Sequence, residues 1–118
     1  MLTTSKKAKG RRLQQWVCEQ IANVLGATFS SDDDAQIKSR NMGQSGCDVI
    51  IDVDLLDRFP YSIECKNQEK WSIVKDIEQA KKNTKKDTSW LLFYKRNHHD
   101  PVVVMDASTF FDLIRKTQ

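Results

Sequence analysis

The stretch Ser45-Gly46-Cys47-Asp48-Val49-Ile50-Ile51-Asp52-Val53 constrains the fold more than any other part of the chain. An acidic residue follows a flexible Gly and opens an apolar, β-branched run, the pattern of a buried strand starting at Asp48. A turn around Asp57-Arg58-Phe59-Pro60 leads into a second strand, Tyr61-Ser62-Ile63-Glu64-Cys65-Lys66. Its period of two sends Glu64 and Lys66 to one face and Cys65 to the other. Paired as adjacent antiparallel strands, the two runs bring Asp48 close to Glu64, with an amine beside them.

Two carboxylates at that distance are hard oxygen ligands of the kind Mg²⁺ or Mn²⁺ prefers. Such an ion polarises a phosphoryl oxygen and lowers the pKa of a bound water, and Lys66 is placed to orient that water or offset developing charge. The chemistry this pattern implies is phosphodiester hydrolysis. An isolated Glu-x-Lys carries little weight, since an exposed strand with alternating charges produces it; here the triplet closes an apolar strand and follows a Gly-x-Asp strand at hairpin distance.

Gly46-Cys47-Asp48-Val49 followed by Ile63-Glu64-Cys65-Lys66 resembles the motif of the PD-(D/E)XK nuclease superfamily, which includes restriction endonucleases and Holliday-junction resolvases. The wider strings Asn41-Met42-Gly43-Gln44-Ser45-Gly46 and Phe59-Pro60-Tyr61-Ser62-Ile63-Glu64-Cys65-Lys66-Asn67 are similar to small phage-encoded nucleases of this type. The resemblance implies a restriction-endonuclease-like α/β fold and a Mg²⁺- or Mn²⁺-dependent DNA endonuclease acting on branched DNA, in phage recombination or DNA processing. It further implies that Asp48, Glu64 and the Cys65 carbonyl hold the metal, that Lys66 positions the attacking water, and that the chain is a homodimer with two active sites. Related resolvases carry an acid on the first helix, where this chain has Gln14 followed by Gln15. Gln14, at the edge of the apolar face, is the better placed of the helix residues to bind a metal water or phosphate, whereas Glu19 points almost opposite that face and reads as solvated. Gln79 stands where related nucleases carry a supporting Gln or Lys, and equally suits a surface amide. Ser45 resembles a resolvase serine before the motif acid, and is also ordinary turn chemistry.

The 118 residues suffice for one domain with a single core, residues 9–118, preceded by a basic flexible arm over residues 1–8. A hydrophobic fraction of 39% and a charged fraction of 30% suit a soluble globular protein. No apolar run approaches the roughly 18 residues of a membrane span, and Met1 to Lys7 lacks the apolar segment of a signal peptide. A cytoplasmic location is expected, in the host if the chain is phage-encoded. Cys18, Cys47 and Cys65 form neither a CxxC pair nor an even set, which argues against disulfides and cysteine-bound zinc. The net charge of +3 is uneven. Lys6, Lys7, Lys9, Arg11 and Arg12 crowd the N-terminus, and Lys81, Lys82, Lys85 and Lys86 crowd a later helix end; both suit phosphate contacts or solvated helix ends.

Spacings of three and four among Leu13, Trp16, Val17, Ile21, Val24 and Leu25 predict a helix from Lys9 to Leu25, ended by Gly26. Ala27 to Ser30 is expected as a short edge strand, and Ser31 to Gly46 as a polar loop whose three aspartates lack the rest of a calcium loop. A second helix is predicted from about Ser72 to Lys86, buried strands over Ser89–Tyr94 and Pro101–Met105, and a closing helix from Thr109 to Lys116. The expected order is α-β-β-β-α-β-β-α, a mixed central sheet flanked by helices. His98 and His99 read as a strand connection, and Asp52 shares the face of Asp48 but at solvent distance. A noncatalytic nucleic-acid-binding domain with the nuclease fold is the alternative, favoured by the missing acid on the first helix.

Overall fold

Helix α1 spans Thr3–Leu25 in the computed structural model, which describes residues 3–41 and 43–118. Leu13, Val17, Ile21 and Leu25 recur every four residues and are all buried, so the helix closes one face of the domain. Gly26 ends it with φ at +65°, a conformation that costs a side chain bearing a Cβ and costs glycine nothing. The expected arm over residues 1–8 is corrected from Thr3 onward: those residues are the first turns of α1, exposed at Lys6 and Lys7, and Met1 and Leu2 lie outside the described residues.

The first strand is also corrected. Of Ala27 to Ser30, Phe29 makes an isolated bridge to Ile37, and the strand that forms is β1, Ile37–Ser39, inside the expected loop. Local side chains explain the displacement. The Thr28 amide donates to Gln36 Oε1 and the Gln36 amide to Thr28 Oγ1, both at 3.0 Å, so side-chain oxygens take acceptor places that a ladder would need. Strand β1 pairs antiparallel with β2, Val49–Ile51, with Ile37 opposite Ile51 and Ser39 opposite Val49. A single 3-10 turn over Val53–Leu55 cuts β2 short of the expected Val53.

Strand β3, Tyr61–Asn67, runs parallel to β4, Ser89–Lys95, and the crossover carries helix α2, Ile73–Lys82. Strand β5, Val102–Val104, pairs antiparallel with β4, and α3, Ala107–Lys116, closes the chain. The result is a compact α/β domain with mixed strand pairing and the expected alternation of elements, apart from the added 3-10 turn and the moved first strand. Instead of one central sheet there are two ladders, β1-β2 and β3-β4-β5. They join at Asp48, whose amide donates to the Ile63 carbonyl at 2.8 Å.

The unbroken apolar run of β4 is explained by cover on both faces. Leu91 packs with Tyr61, Ile63, α1 and β1-β2, while Trp90, Leu92 and Tyr94 pack with Ala80 and Ile77 of α2 and with Trp71. Burying a side chain such as Leu92 is worth about 1.5–3 kcal/mol relative to leaving it exposed. Val102 and Val103 of β5 are exposed rather than buried, because β5 is an edge strand. Helix α2 stops at Lys82 instead of about Lys86, leaving Lys85 and Lys86 in the turn beyond it. No helix among the described residues is long and apolar enough to cross a membrane.

Candidate active site

Asp48 is delivered by a tight approach. Gly46 sits at φ +106°, and the guanidinium carbon of Arg40 lies 3.0 Å from where a Cβ would stand on it. The Arg40 Nε donates to the Cys47 carbonyl, and its amide donates to the Asp48 carbonyl at 2.8 Å. Directly after this clasp, Asp48 Oδ2 accepts the Cys65 amide of β3 at 2.7 Å. N–H and C=O of one strand residue leave on the same edge, so the Cys65 carbonyl is on the edge of β3 that meets Asp48.

Strand periodicity then sorts β3. Tyr61, Ile63 and Cys65 pack into the α1 side, whereas Ser62, Glu64 and Lys66 meet the α2 side. Helix α2 answers with a polar stripe. Gln79 Oε1 accepts Lys66 Nζ at 2.8 Å, and Asn83, one turn on at the helix end, sends Nδ2 to Glu64 Oε1 at 3.4 Å. Beyond it the Lys85 amide donates to Ser62 Oγ at 3.0 Å, and Ser62 shares a 2.6 Å hydrogen bond with Thr88. One turn before Gln79, buried Asp76 accepts the Tyr94 hydroxyl and Gln68 Nε2, with Trp71 stacked on Tyr94.

Glu64 is 4% exposed. Burial, and after it the charge of Asp48, pushes its carboxyl up to about 7, with Asp76 adding to the rise and Asn83 and Lys66 opposing it. Burial also raises Asp48, opposed by the Cys65 amide and by the cations Lys66 and Arg40. A buried carboxylate, Glu64, and a half-buried one, Asp48, repel each other in a site short of positive charge, which is the electrostatic condition for a bound cation. Among the described residues no group of three or more His, Cys, Asp or Glu side chains is gathered to cage an ion. The donors on hand are two carboxylates and the Cys65 carbonyl, all hard oxygens. That set fits Mg²⁺ or Mn²⁺, ions bound through one or two carboxylates with waters completing the shell.

The structure thus brings together Asp48, Glu64, Cys65, Lys66 and Gln79. Gln14 is buried, and its Oε1 accepts the hydroxyl of Ser39 at 2.8 Å, Ser39 standing opposite Val49, the residue after Asp48. Glu19, Ser45 and Asp52 are exposed, as are His98 and His99 in the β4-β5 connection. Lys6, Lys7, Arg11, Arg12, Lys81, Lys82, Lys85 and Lys86 are exposed. Lys9 is tied into the fold, with Nζ 3.7 Å from Glu69 and its carbonyl accepting Asn67 Nδ2 at 3.0 Å. Sequence reasoning missed Arg40, Asn83 and Asp76. Asp76, Gln79 and Asn83 follow one helical stripe, a signal readable once Gln79 is set facing the sheet. Arg40 carried no signal, since its role depends on the backbone path through Gly46. No family model, no curated protein and no solved structure matches this chain.

Proposed function

We propose that this chain is a divalent-metal-dependent DNA endonuclease with a restriction-endonuclease-like PD-(D/E)XK core, acting on branched DNA in the manner of a Holliday-junction resolvase. The pairing of buried Glu64 with half-buried Asp48 beside the Lys66 amine carries the reading. When bound, Mg²⁺ or Mn²⁺ supplies Lewis-acid polarisation of the scissile phosphate and a lowered pKa for water. Asp48, Glu64 and the Cys65 carbonyl hold that ion. The Cys65 amide fixes one Asp48 oxygen, so the carboxylate is oriented before any ligand arrives. Asn83 restrains Glu64 in the same way.

Lys66, held by Gln79, presents its ammonium beside the two acids, where it orients the attacking water and offsets charge developing on the phosphate. Water is the nucleophile and no covalent intermediate forms. Two copies of the chain place two such sites on one branched substrate, which the homodimer reading requires. A panel of labelled junction, flap, nicked and plain duplex DNAs incubated with Mg²⁺, Mn²⁺ or EDTA tests the proposal. Cleavage is expected with either metal and none with EDTA. Glu64→Gln and Lys66→Ala should each lower the rate by about 10²- to 10³-fold while binding in calcium is retained. Unchanged cleavage by both variants refutes the assignment.

A second reading has one observation in its favour. The first helix offers Gln14 in place of an acid, and that amide is engaged with Ser39. A noncatalytic nucleic-acid-binding domain with this core would bind every DNA in the panel and cut none.

A further inference from the structure

A cleft of about 570 Å³ opens between α1, the turn after Phe29 and β1. Arg11, Lys38 and Arg40 line it, against a single carboxylate, Asp33. None of the three cations takes part in an ion pair among the described residues. Lys38 Nζ meets the Asp33 carbonyl at 3.0 Å, a neutral partner, and Arg40 commits Nε to the Cys47 carbonyl, so neither is neutralised by a salt bridge, although Arg40 acts through space on the Asp48 carboxyl. Phe29, half-buried, contributes an aromatic wall, and Gln15 adds an amide that both donates and accepts. The volume lies inside the range of about 300–1,000 Å³ usual for sites that enclose a small molecule.

Position gives the cleft its meaning. Arg40 belongs both to its wall and to the clasp that delivers Asp48, and its charge is felt by the Asp48 carboxyl. A strand running from the acid pair along Arg40 therefore enters a basic, aromatic-walled recess. The geometry points to this cleft as a binding site for one unpaired nucleotide of a nucleic-acid strand, with its phosphates on Arg11, Lys38 and Arg40 and its base against Phe29. Cations that track the backbone beside an aromatic platform are the sequence-tolerant way of holding single strands. A base stacked and paired in a duplex has no free face to lay against Phe29, which selects unpaired DNA next to the cut. The inference rests on the nuclease reading for the direction of the strand; binding by the cleft does not require cleavage.

The test uses the full chain in EDTA, with fluorescence anisotropy of a short labelled single-stranded oligonucleotide and of the blunt duplex of the same sequence. Single strand should bind more tightly than duplex. The Arg11→Gln/Lys38→Gln double variant should weaken it at least about ten-fold and reduce the log-log salt slope by about 1.4, at about 0.7 per cation for single strands. Arg11→Gln alone replaces an exposed helical residue with another good helix former, keeps the fold, and should show about half that change in slope. Phe29→Leu should weaken binding about five-fold or more with the slope unchanged.

Duplex bound as tightly as single strand, or an unchanged slope in Arg11→Gln, overturns the proposal. Displacement by deoxyadenosine monophosphate or inorganic phosphate at concentrations no higher than those of competing oligonucleotide also overturns it, in favour of a free nucleotide or phosphate as occupant. Cleavage in Mg²⁺ is scored separately. Single-strand binding without cleavage removes the nuclease reading and keeps the cleft, whereas cleavage without single-strand binding does the reverse.

Discussion

Glu64→Gln should make the protein more stable above neutral pH, even as it removes a residue of the candidate site. The parent carboxyl titrates near 4.5 in an unfolded chain and near 7 in the folded one. Between those values the folded state holds the extra proton, so parent stability falls as pH rises from 4.5 to about 7 and stays reduced above it. At about 1.36 kcal/mol per pH unit, the full effect is about 3 kcal/mol. Glutamine has nearly the same shape and can still accept from Asn83, but carries no charge to desolvate. In EDTA, urea unfolding should show the variant and parent alike near pH 4 and the variant more stable by up to about 3 kcal/mol at pH 8.5, roughly 10 °C in melting temperature. Mg²⁺ at ten times its dissociation constant should then restore about 1.4 kcal/mol to the parent and nothing to the variant. A gain that does not vary with pH, or a loss of stability at pH 8.5, refutes the claim that Glu64 is held against its charge.

Gly46→Ala should destabilise by about 1–3 kcal/mol, because the residue sits at φ +106° and its new Cβ meets the Arg40 guanidinium; thermal melts of Gly46→Ala, Arg40→Ala and the double variant should reveal coupling between the two positions. Tyr94→Phe removes one hydrogen bond to the buried Asp76 carboxylate and should cost about 1–3 kcal/mol in urea unfolding. Gln79→Ala frees the Lys66 amine, and single-turnover cleavage should slow with DNA affinity in calcium unchanged and with a smaller loss than Lys66→Ala gives.

The elements legible in the sequence were those whose pattern has one physical solution. Helix α1 followed from its every-fourth-residue apolar face and Gly26, and β3 and β4 from apolar runs bounded by turns. Strand β1 was hidden because Ile37-Lys38-Ser39 is too short and polar to stand out, and because Thr28 and Gln36 settle their backbone pairing through side chains. The split into two ladders was also invisible, since strand pairing is a long-range choice that local pattern does not encode. At the site, the alternation along β3 sufficed to set Glu64 and Lys66 on one face. Asn83 stayed hidden because the predicted helix ran past it, concealing that the real helix stops where its amide reaches Glu64.

The junction at Asp48 makes the candidate site a built-in gauge of its own assembly. The β1-β2 ladder meets β3 through the Asp48 amide and the Asp48 carboxylate, the same group offered to a metal. If that half of the molecule swings away while β3-β4-β5 stays folded, the acid pair is dismantled without global unfolding. The Cys65 and Asp48 amides then lose their acceptors together, so their deuterium uptake reads the fraction of molecules in which the pair is intact. A cation bridging Asp48 and Glu64 would act there as a rivet, slowing uptake at these two amides before it slows any in the interior of β4.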